Sequence, residues 1–318
     1  MTRIAVLLSA LALLAGGCTR KAVYHTATGA AWGTAYHITY KSDRDLSDSI
    51  VAEMRQVELS LSMFDPGSRI SRINSGATDI LDKRLIDVMR ISIDVNKASD
   101  GMFDPTIAPL TDLWGFGRQG RETPLPCPAA IDSAMARVGM DKCHIAGNRI
   151  VKGHPDMEFD LSAVAKGYGV DCVADMLRRN GVSDYMVEIG GEVAVGGVNA
   201  KGCYWRIQVD SPSSAPDTHE AFEILELSDC AVASSGNYRS FRDDDGVRTG
   251  HTIDPSTGYP AVTRSLATTV VAPSCGLADA LATALMICEP DSAASVISFF
   301  PSTAAIIITC DSIYRINM

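Results

Sequence analysis

Apolar positions recur along this chain with two different periods, and the switches between them lay out its elements. Residues 46–63 carry apolar side chains at helical spacing and end at the turn signal Asp65-Pro66-Gly67-Ser68. Residues 84–97 repeat that spacing as a second amphipathic helix, stopped by Ser99-Asp100-Gly101. Residues 34–40 alternate instead and are rich in β-formers, which predicts a strand. A third helix follows Asp160, with Leu161, Val164, Tyr168, Cys172 and Met176 on one face, and with Arg178, Arg179 and Asn180-Gly181 as its basic last turn and stop. Short β-type runs come next, over 185–189, 192–195, 204–210, 222–227, 231–234 and 266–272. Residues 277–287 read as an Ala/Leu helix and 304–309 as a buried closing strand, while the Gly- and Pro-rich stretch 115–128 reads as a loop. Helices and strands mix without a regular βαβ alternation, so the predicted class is α+β. With no Pro/Ser-rich linker to divide it, the mature chain is expected to be one domain of two intimately packed α/β halves.

The third helix carries an unusual start. Asp160 stands where an N-cap belongs, yet Gly167 and Gly169 interrupt the first turns, each costing about 1 kcal/mol relative to Ala. Such glycines suggest that a ligand or another backbone comes close. Lys166 sits where the helix dipole opposes a cation but favours an anion, a conflict that a phosphate beside it would resolve.

The N-terminus bears on location. Arg3 precedes an apolar stretch over 4–14 and the small residues Ala15-Gly16-Gly17 before Cys18. The pattern is that of a signal peptide, too short for a transmembrane helix, and its end resembles a bacterial lipobox in which the cysteine is lipidated. The expected plan is a signal peptide over 1–17, a lipidated tether over 18–30 and one domain over 31–318. Export to the periplasm or cell exterior on a membrane anchor follows. No later segment has the apolar run of a membrane span. A formal net charge of −10 without a basic cluster argues against nucleic acid as a partner, but leaves room for an anionic ligand drawn by a local field. Eight cysteines remain after Cys18, none in a CxxC or other close metal spacing, so a thiolate metal site has no support.

Four segments concentrate glycine, acids and hydroxyls: residues 101–106, 160–169, 250–258 and 279–283. Asp279 and Thr283 are four apart in a helical pattern and so share one face. A carboxylate and a hydroxyl at that spacing suit a hard cation, and an acid within Leu277-Ala-Asp-Ala-Leu would be costly to bury unpaired. The alternative is structural: Asp279 caps or pairs, and Thr283 bonds its own helix. His251, between Gly250 and Asp254, is a candidate base through its company of acids and hydroxyls. Zincin, P-loop and dinucleotide-binding motifs are missing from the sequence.

Taken in order, these segments resemble the ApbE family, the FAD:protein FMN transferases. The resemblance runs through Trp32-Gly33-Thr34, residues 61–68 with 70–74, residues 100–106, 160–169, Gly190-Gly191-Glu192, residues 234–238, 250–258 and 279–283. It implies a magnesium-dependent enzyme that cleaves FAD, attaches FMN through a phosphoester to a Thr or Ser hydroxyl of a target protein, and releases AMP. By position, Ala163 (through its carbonyl), Asp279 and Thr283 correspond to the Mg2+ ligands. Trp32, Phe64, Met102, Phe103, Asp104, Asp160, Lys166 and Ile253 correspond to FAD contacts, and His251 or Asp254 to the group that takes the acceptor's proton. The family often has Met at the position of Trp32 and Tyr at that of Phe64, so the resemblance implies a reshaped pocket with one hydroxyl fewer. Implied partners are FAD and acceptor flavoproteins such as subunits of membrane electron-transfer complexes. Two other readings share the same residues: a Mg2+-dependent FAD pyrophosphatase yielding FMN and AMP, and a non-catalytic FAD-binding lipoprotein.

Overall fold

The first strand begins inside the segment expected to be a tether. The computed structural model describes residues 22–118, 120, 124–212, 220–236, 241–244 and 247–318, so the signal peptide, Cys18 and the start of the tether lie outside the described residues. Residues 23–31 form β1 (Val23–Ala31), paired antiparallel along its length with β2 (Thr34–Ser42). Only Ala27 of β1 is buried, so this edge strand has little apolar alternation by which it could be predicted.

Three helices follow: α1 (Ser47–Leu61), α2 (Arg69–Asn74) and α3 (Lys83–Ala98). Next come the short α4 (Ala108–Leu113) and α5 (Pro128–Met135), and then a small hairpin of β3 (Cys143–Ala146) and β4 (Arg149–Lys152). The third predicted helix is α6 (Ser162–Arg179). Beyond it lie β5 (Tyr185–Ile189), β6 (Glu192–Gly196), β7 (Trp205–Asp210), β8 (Ala221–Leu227) and β9 (Cys230–Gly236). The chain continues through β10 (Phe241–Asp244), β11 (Val247–Gly250), β12 (Ser265–Ala272), α7 (Cys275–Ile287) and α8 (Ala293–Ser298), and ends in β13 (Ala304–Thr309) and β14 (Ile313–Ile316).

Eight strands make one sheet in the order β1-β2-β5-β6-β9-β12-β13-β14, each neighbouring pair antiparallel. The fold is therefore α+β, and one β-layer runs through both halves of the chain. Strand β13 is buried as expected, but β14 lies outside it, so β13 does not close the sheet. Helices α6 and α7 cover one face. The β7–β8 hairpin covers part of the other, setting Trp205 and Ile207 on Val193, Val195 and Val232. Burial on both faces explains why β13, and β6 after its opening Glu192, read as apolar runs. Among the described residues, no helix is long and apolar enough to cross a membrane.

Helix α6 is buried more widely than its sequence face suggests: Val170, Val173, Ala174 and Leu177 are also in the core. The reason is its place between the sheet and the helices α1 and α3, with α7 packed alongside it on the sheet. Against α7 the approach is backbone to backbone, since a Cβ on Gly167 would lie 2.3 Å from the Cys275 carbonyl oxygen. At Gly169 a Cβ would meet the Trp32 indole.

Helix α7 receives its N-terminal cap from α6. Ser274 makes no side-chain cap bond, whereas Asp171 accepts hydrogen bonds from the Cys275 and Gly276 amides at 2.7 and 2.8 Å. Burial pushes the Asp171 carboxyl up to about 7 despite those two donors. Asp171→Ala orphans both amides and is expected to lower unfolding free energy by about 2 kcal/mol in urea melts, with Asp171→Asn losing less because it keeps one acceptor.

Candidate active site

A cavity of about 560 Å³ opens where the start of α6, the middle of α7, the β5–β6 turn and the loop after β11 converge. It gathers ten of the thirteen residues with an expected role among those described: Met102, Phe103, Asp104, Asp160, Ala163, Lys166, His251, Ile253, Asp279 and Thr283. A cavity of about 670 Å³ on another side of α6, with Asp87, Asp175 and Asp229 in its wall, contains none of them.

The charged wall comes from three elements. Asp279 on α7 is buried and its Oδ2 accepts a hydrogen bond from the Gly167 amide at 3.0 Å. The helical repeat makes Ala163 the intrahelical acceptor of that same amide, so the Ala163 carbonyl and the Asp279 carboxylate belong to one corner. Thr283, one turn along α7, lies 3.4 Å from the Ser235 hydroxyl. Lys166 donates to Glu192 Oε1 at 2.7 Å. The anion expected beside Lys166 is thus supplied, within the protein itself, by a carboxylate.

Electrostatics tie these groups together. Burial, followed by the charge of Asp279, pushes the Glu192 carboxyl up to about 7, although Lys166 pulls the other way. Burial also raises Asp279. Burial depresses Lys166, but Glu192 and Asp279 together more than offset it and leave its pKa raised. With both carboxylates ionised, the wall carries one negative charge more than Lys166 balances. Among the described residues no three His, Cys, Asp or Glu side chains form a metal cluster. The donors here are instead a carboxylate, a hydroxyl and a main-chain carbonyl, oxygen ligands of the kind a hard cation takes.

The opposite wall is built around two carboxylates, each held by a residue two positions on and by a second segment of the chain. Asp160 Oδ1 accepts from the Ser162 amide at 2.9 Å, and Oδ2 from the Thr111 hydroxyl at 2.9 Å. It caps the first turn of α6 from one residue further out than a standard N-cap. Asp104 Oδ1 accepts from the Thr106 amide at 2.8 Å, and Oδ2 from the Met140 amide at 3.0 Å. Burial raises its pKa against those bonds. Phe103 is almost wholly buried and Ile253 sits in a small core with Leu110 and Trp114, so both shape the wall from within. The His251 ring stands edge-on to Phe116, 6.4 Å between centroids.

The profile of the ApbE family matches residues 32–307. The chain belongs to the ApbE family. It is 38% identical over 291 residues to the FAD:protein FMN transferase of Vibrio cholerae serotype O1, covering 89% of this chain and 86% of that one. The FAD:protein FMN transferase of Haemophilus influenzae is 34% identical, with 90% and 87% covered. Among solved structures, the flavin transferase ApbE from Vibrio cholerae superposes with a TM-score of 0.83 at 34% identity, over 93% of this chain and 98% of that one.

Three residues that the ApbE resemblance brought forward are not in the cavity wall. Trp32 occupies a two-residue turn with positive φ at both Trp32 (52°) and Gly33 (77°). Its indole donates to the Met54 carbonyl at 3.3 Å and packs on Gly169, in the seam between α1 and α6. Phe64 is 72% exposed on the loop before α2. Asp254 spends its carboxylate on a turn, where Oδ1 accepts from the Ser256 amide and hydroxyl at 2.8 and 2.7 Å. Of the two candidate bases, His251 therefore lines this ApbE cavity and Asp254 does not. Conversely, sequence reasoning gave no role to Glu192 or Thr111. A signal existed for Glu192, the one acid opening an otherwise apolar strand; for Thr111 there was none.

Proposed function

We propose that this ApbE member is a FAD:protein FMN transferase that attaches FMN through a phosphoester to a Thr or Ser hydroxyl of a target protein and releases AMP. The observation that carries the reading is the convergence of Asp279, Thr283, the Ala163 carbonyl, Lys166 and His251 on one cavity, in a chain whose curated relatives bear that activity. The donor set and the uncompensated charge beside it fit Mg2+, held by Ala163, Asp279 and Thr283. A bound Mg2+ supplies charge neutralisation on the pyrophosphate oxygens. Lys166 offers a fixed ammonium to the phosphates, and the first turn of α6 presents its dipole to them. His251 accepts the proton of the acceptor hydroxyl as its oxygen bonds to the FMN-side phosphorus. The pyrophosphate P–O bond breaks and AMP leaves with the bridging oxygen. Met102 presents apolar surface to the flavin substrate from the facing loop, and Phe103 backs that wall from within.

Incubating the enzyme with FAD, Mg2+ and a candidate flavoprotein, then weighing that acceptor by mass spectrometry beside an AMP assay, tests the proposal. An FMN-sized gain with matching AMP is expected. AMP without acceptor labelling supports the pyrophosphatase instead, and FAD binding with neither product supports a carrier.

The same proposal places the enzyme outside the cytoplasm, tethered through Cys18, where subunits of membrane electron-transfer complexes are accessible as acceptors. Its support is the sequence from Arg3 to Cys18. Cys18→Ser is expected to move most of the protein from the membrane pellet to the soluble fraction, read by fractionation of cells. Retention in the pellet would remove the anchor from this reading.

A further inference from the structure

Glu192 is the acid for which neither its pairing with Lys166 nor the strand it opens gives a full account. It is only 3% exposed. One carboxylate oxygen, Oε1, is bound by Lys166 at 2.7 Å. The other, Oε2, is buried and has no hydrogen-bond partner among the described residues. A buried carboxylate oxygen without a donor costs several kcal/mol unless something positive reaches it. Lys166 does not discharge that need, because its ammonium is bound to Oε1 and also feels the charge of Asp279.

The position of Glu192 is fixed by its chain neighbours. Gly190 and Gly191 have φ of +67° and +100° and close a two-residue turn that sets Ile189 opposite Glu192. The alternation of β6 then sends Glu192 to the same side as Ala194, toward the helices, while Val193 and Val195 face the β7–β8 hairpin. A Cβ at Gly190 would lie 2.7 Å from the Thr34 methyl, so the turn is pinned from β2 as well. A charged side chain is thereby held at the cavity wall by a rigid sheet.

We infer that Glu192 is a positioning residue of the cation site: Oε1 orients Lys166, and Oε2 accepts a hydrogen bond from the cation's water or meets the cation itself. This inference rests on the proposed Mg2+-dependent function. It adds a third oxygen-bearing element, β6, to the donors that α6 and α7 provide. Outer carboxylates of this kind commonly change metal affinity by about 10–100-fold when removed.

The test uses the full chain and Mn2+ as a probe, titrated by electron paramagnetic resonance with Mg2+ as competitor, beside thermal melts without metal and FAD binding followed by flavin fluorescence. Glu192→Gln keeps the shape and removes the charge. It is expected to weaken Mn2+ binding at least tenfold while the metal-free melting temperature stays level or rises, because an uncompensated buried charge has gone. Glu192→Asp, which keeps the charge but shortens the reach, is expected to recover part of that affinity. Unchanged Mn2+ affinity in Glu192→Gln with a lowered melting temperature would reduce Glu192 to a structural anchor for Lys166 and overturn the inference, leaving the transferase reading intact if the wild type binds both FAD and Mn2+. A wild type that binds FAD but no divalent cation would overturn both.

Discussion

Asp279→Asn is expected to lower FMN transfer by about a thousandfold with the fold preserved. The substitution leaves an oxygen in place for the Gly167 amide, which the carboxylate now bonds at 3.0 Å, so no buried donor is orphaned. What disappears is the charge at the point where a hard cation would bind. Metal-assisted charge neutralisation is worth several kcal/mol, and each 1.36 kcal/mol is a factor of ten in rate, so a loss near 4 kcal/mol gives the stated effect. FAD affinity without metal should stay within about tenfold, since Lys166 and the facing loop are untouched. Acceptor mass and AMP release, measured over the same time course, check both halves of the claim. If Asp279→Asn kept more than a tenth of wild-type turnover, Asp279 could not be holding an essential cation. Asp279→Ala is the poorer probe, because it also strands the Gly167 amide at a cost of about 1–3 kcal/mol.

Gly167→Ala should be the most damaging single-methyl change in the molecule's helical layer. On helix propensity alone it ought to stabilise α6 by about 1 kcal/mol. The added Cβ, however, would lie 2.3 Å from the Cys275 carbonyl oxygen, 2.7 Å from its carbon and 2.8 Å from the Asp279 Cβ. Two of those three atoms are backbone, and no rotamer change moves them. The helices must separate, and overpacking of this kind costs about 1–3 kcal/mol or more. Separation also carries Asp279 away from Ala163, so activity is expected to fall with stability. Thermal melts should show a drop of several degrees, and the AMP assay a loss beyond what the unfolded fraction explains. A variant as stable and active as the wild type would mean that α6 and α7 are not in backbone contact.

The clash at Gly167 also shows what kind of information the sequence held. Two glycines near the start of a capped helix signalled a close approach, and the spacing could not say of what. The structure makes it α7 at Gly167 and Trp32 at Gly169. Asp279 and Thr283 were legible as a pair because four residues on a helix is a short-range relation. Two of the aromatic residues drawn from the ApbE resemblance lie elsewhere, Trp32 in the α1–α6 seam and Phe64 facing solvent. Asp254 looked like a base beside His251, but an Asp two residues before Ser256 is equally a turn residue, and its bonds to that serine make it one.

By itself, then, the sequence determined what depends on neighbours a few residues apart: the amphipathic helices, the alternating strands, the capped start of α6 and the carboxylate–hydroxyl pair on α7. The ordered motifs added the family. Tertiary structure alone decided which of these meet. Gly167 touches Cys275 across 108 positions of chain, Asp171 caps a helix that begins 104 residues later, and Glu192 faces Lys166 and Asp279 from a third element. The physical reason is range. Helix and strand patterns follow from local sterics and periodic burial, whereas the charge balance of a buried site depends on which side chains the folded sheet and helices bring together.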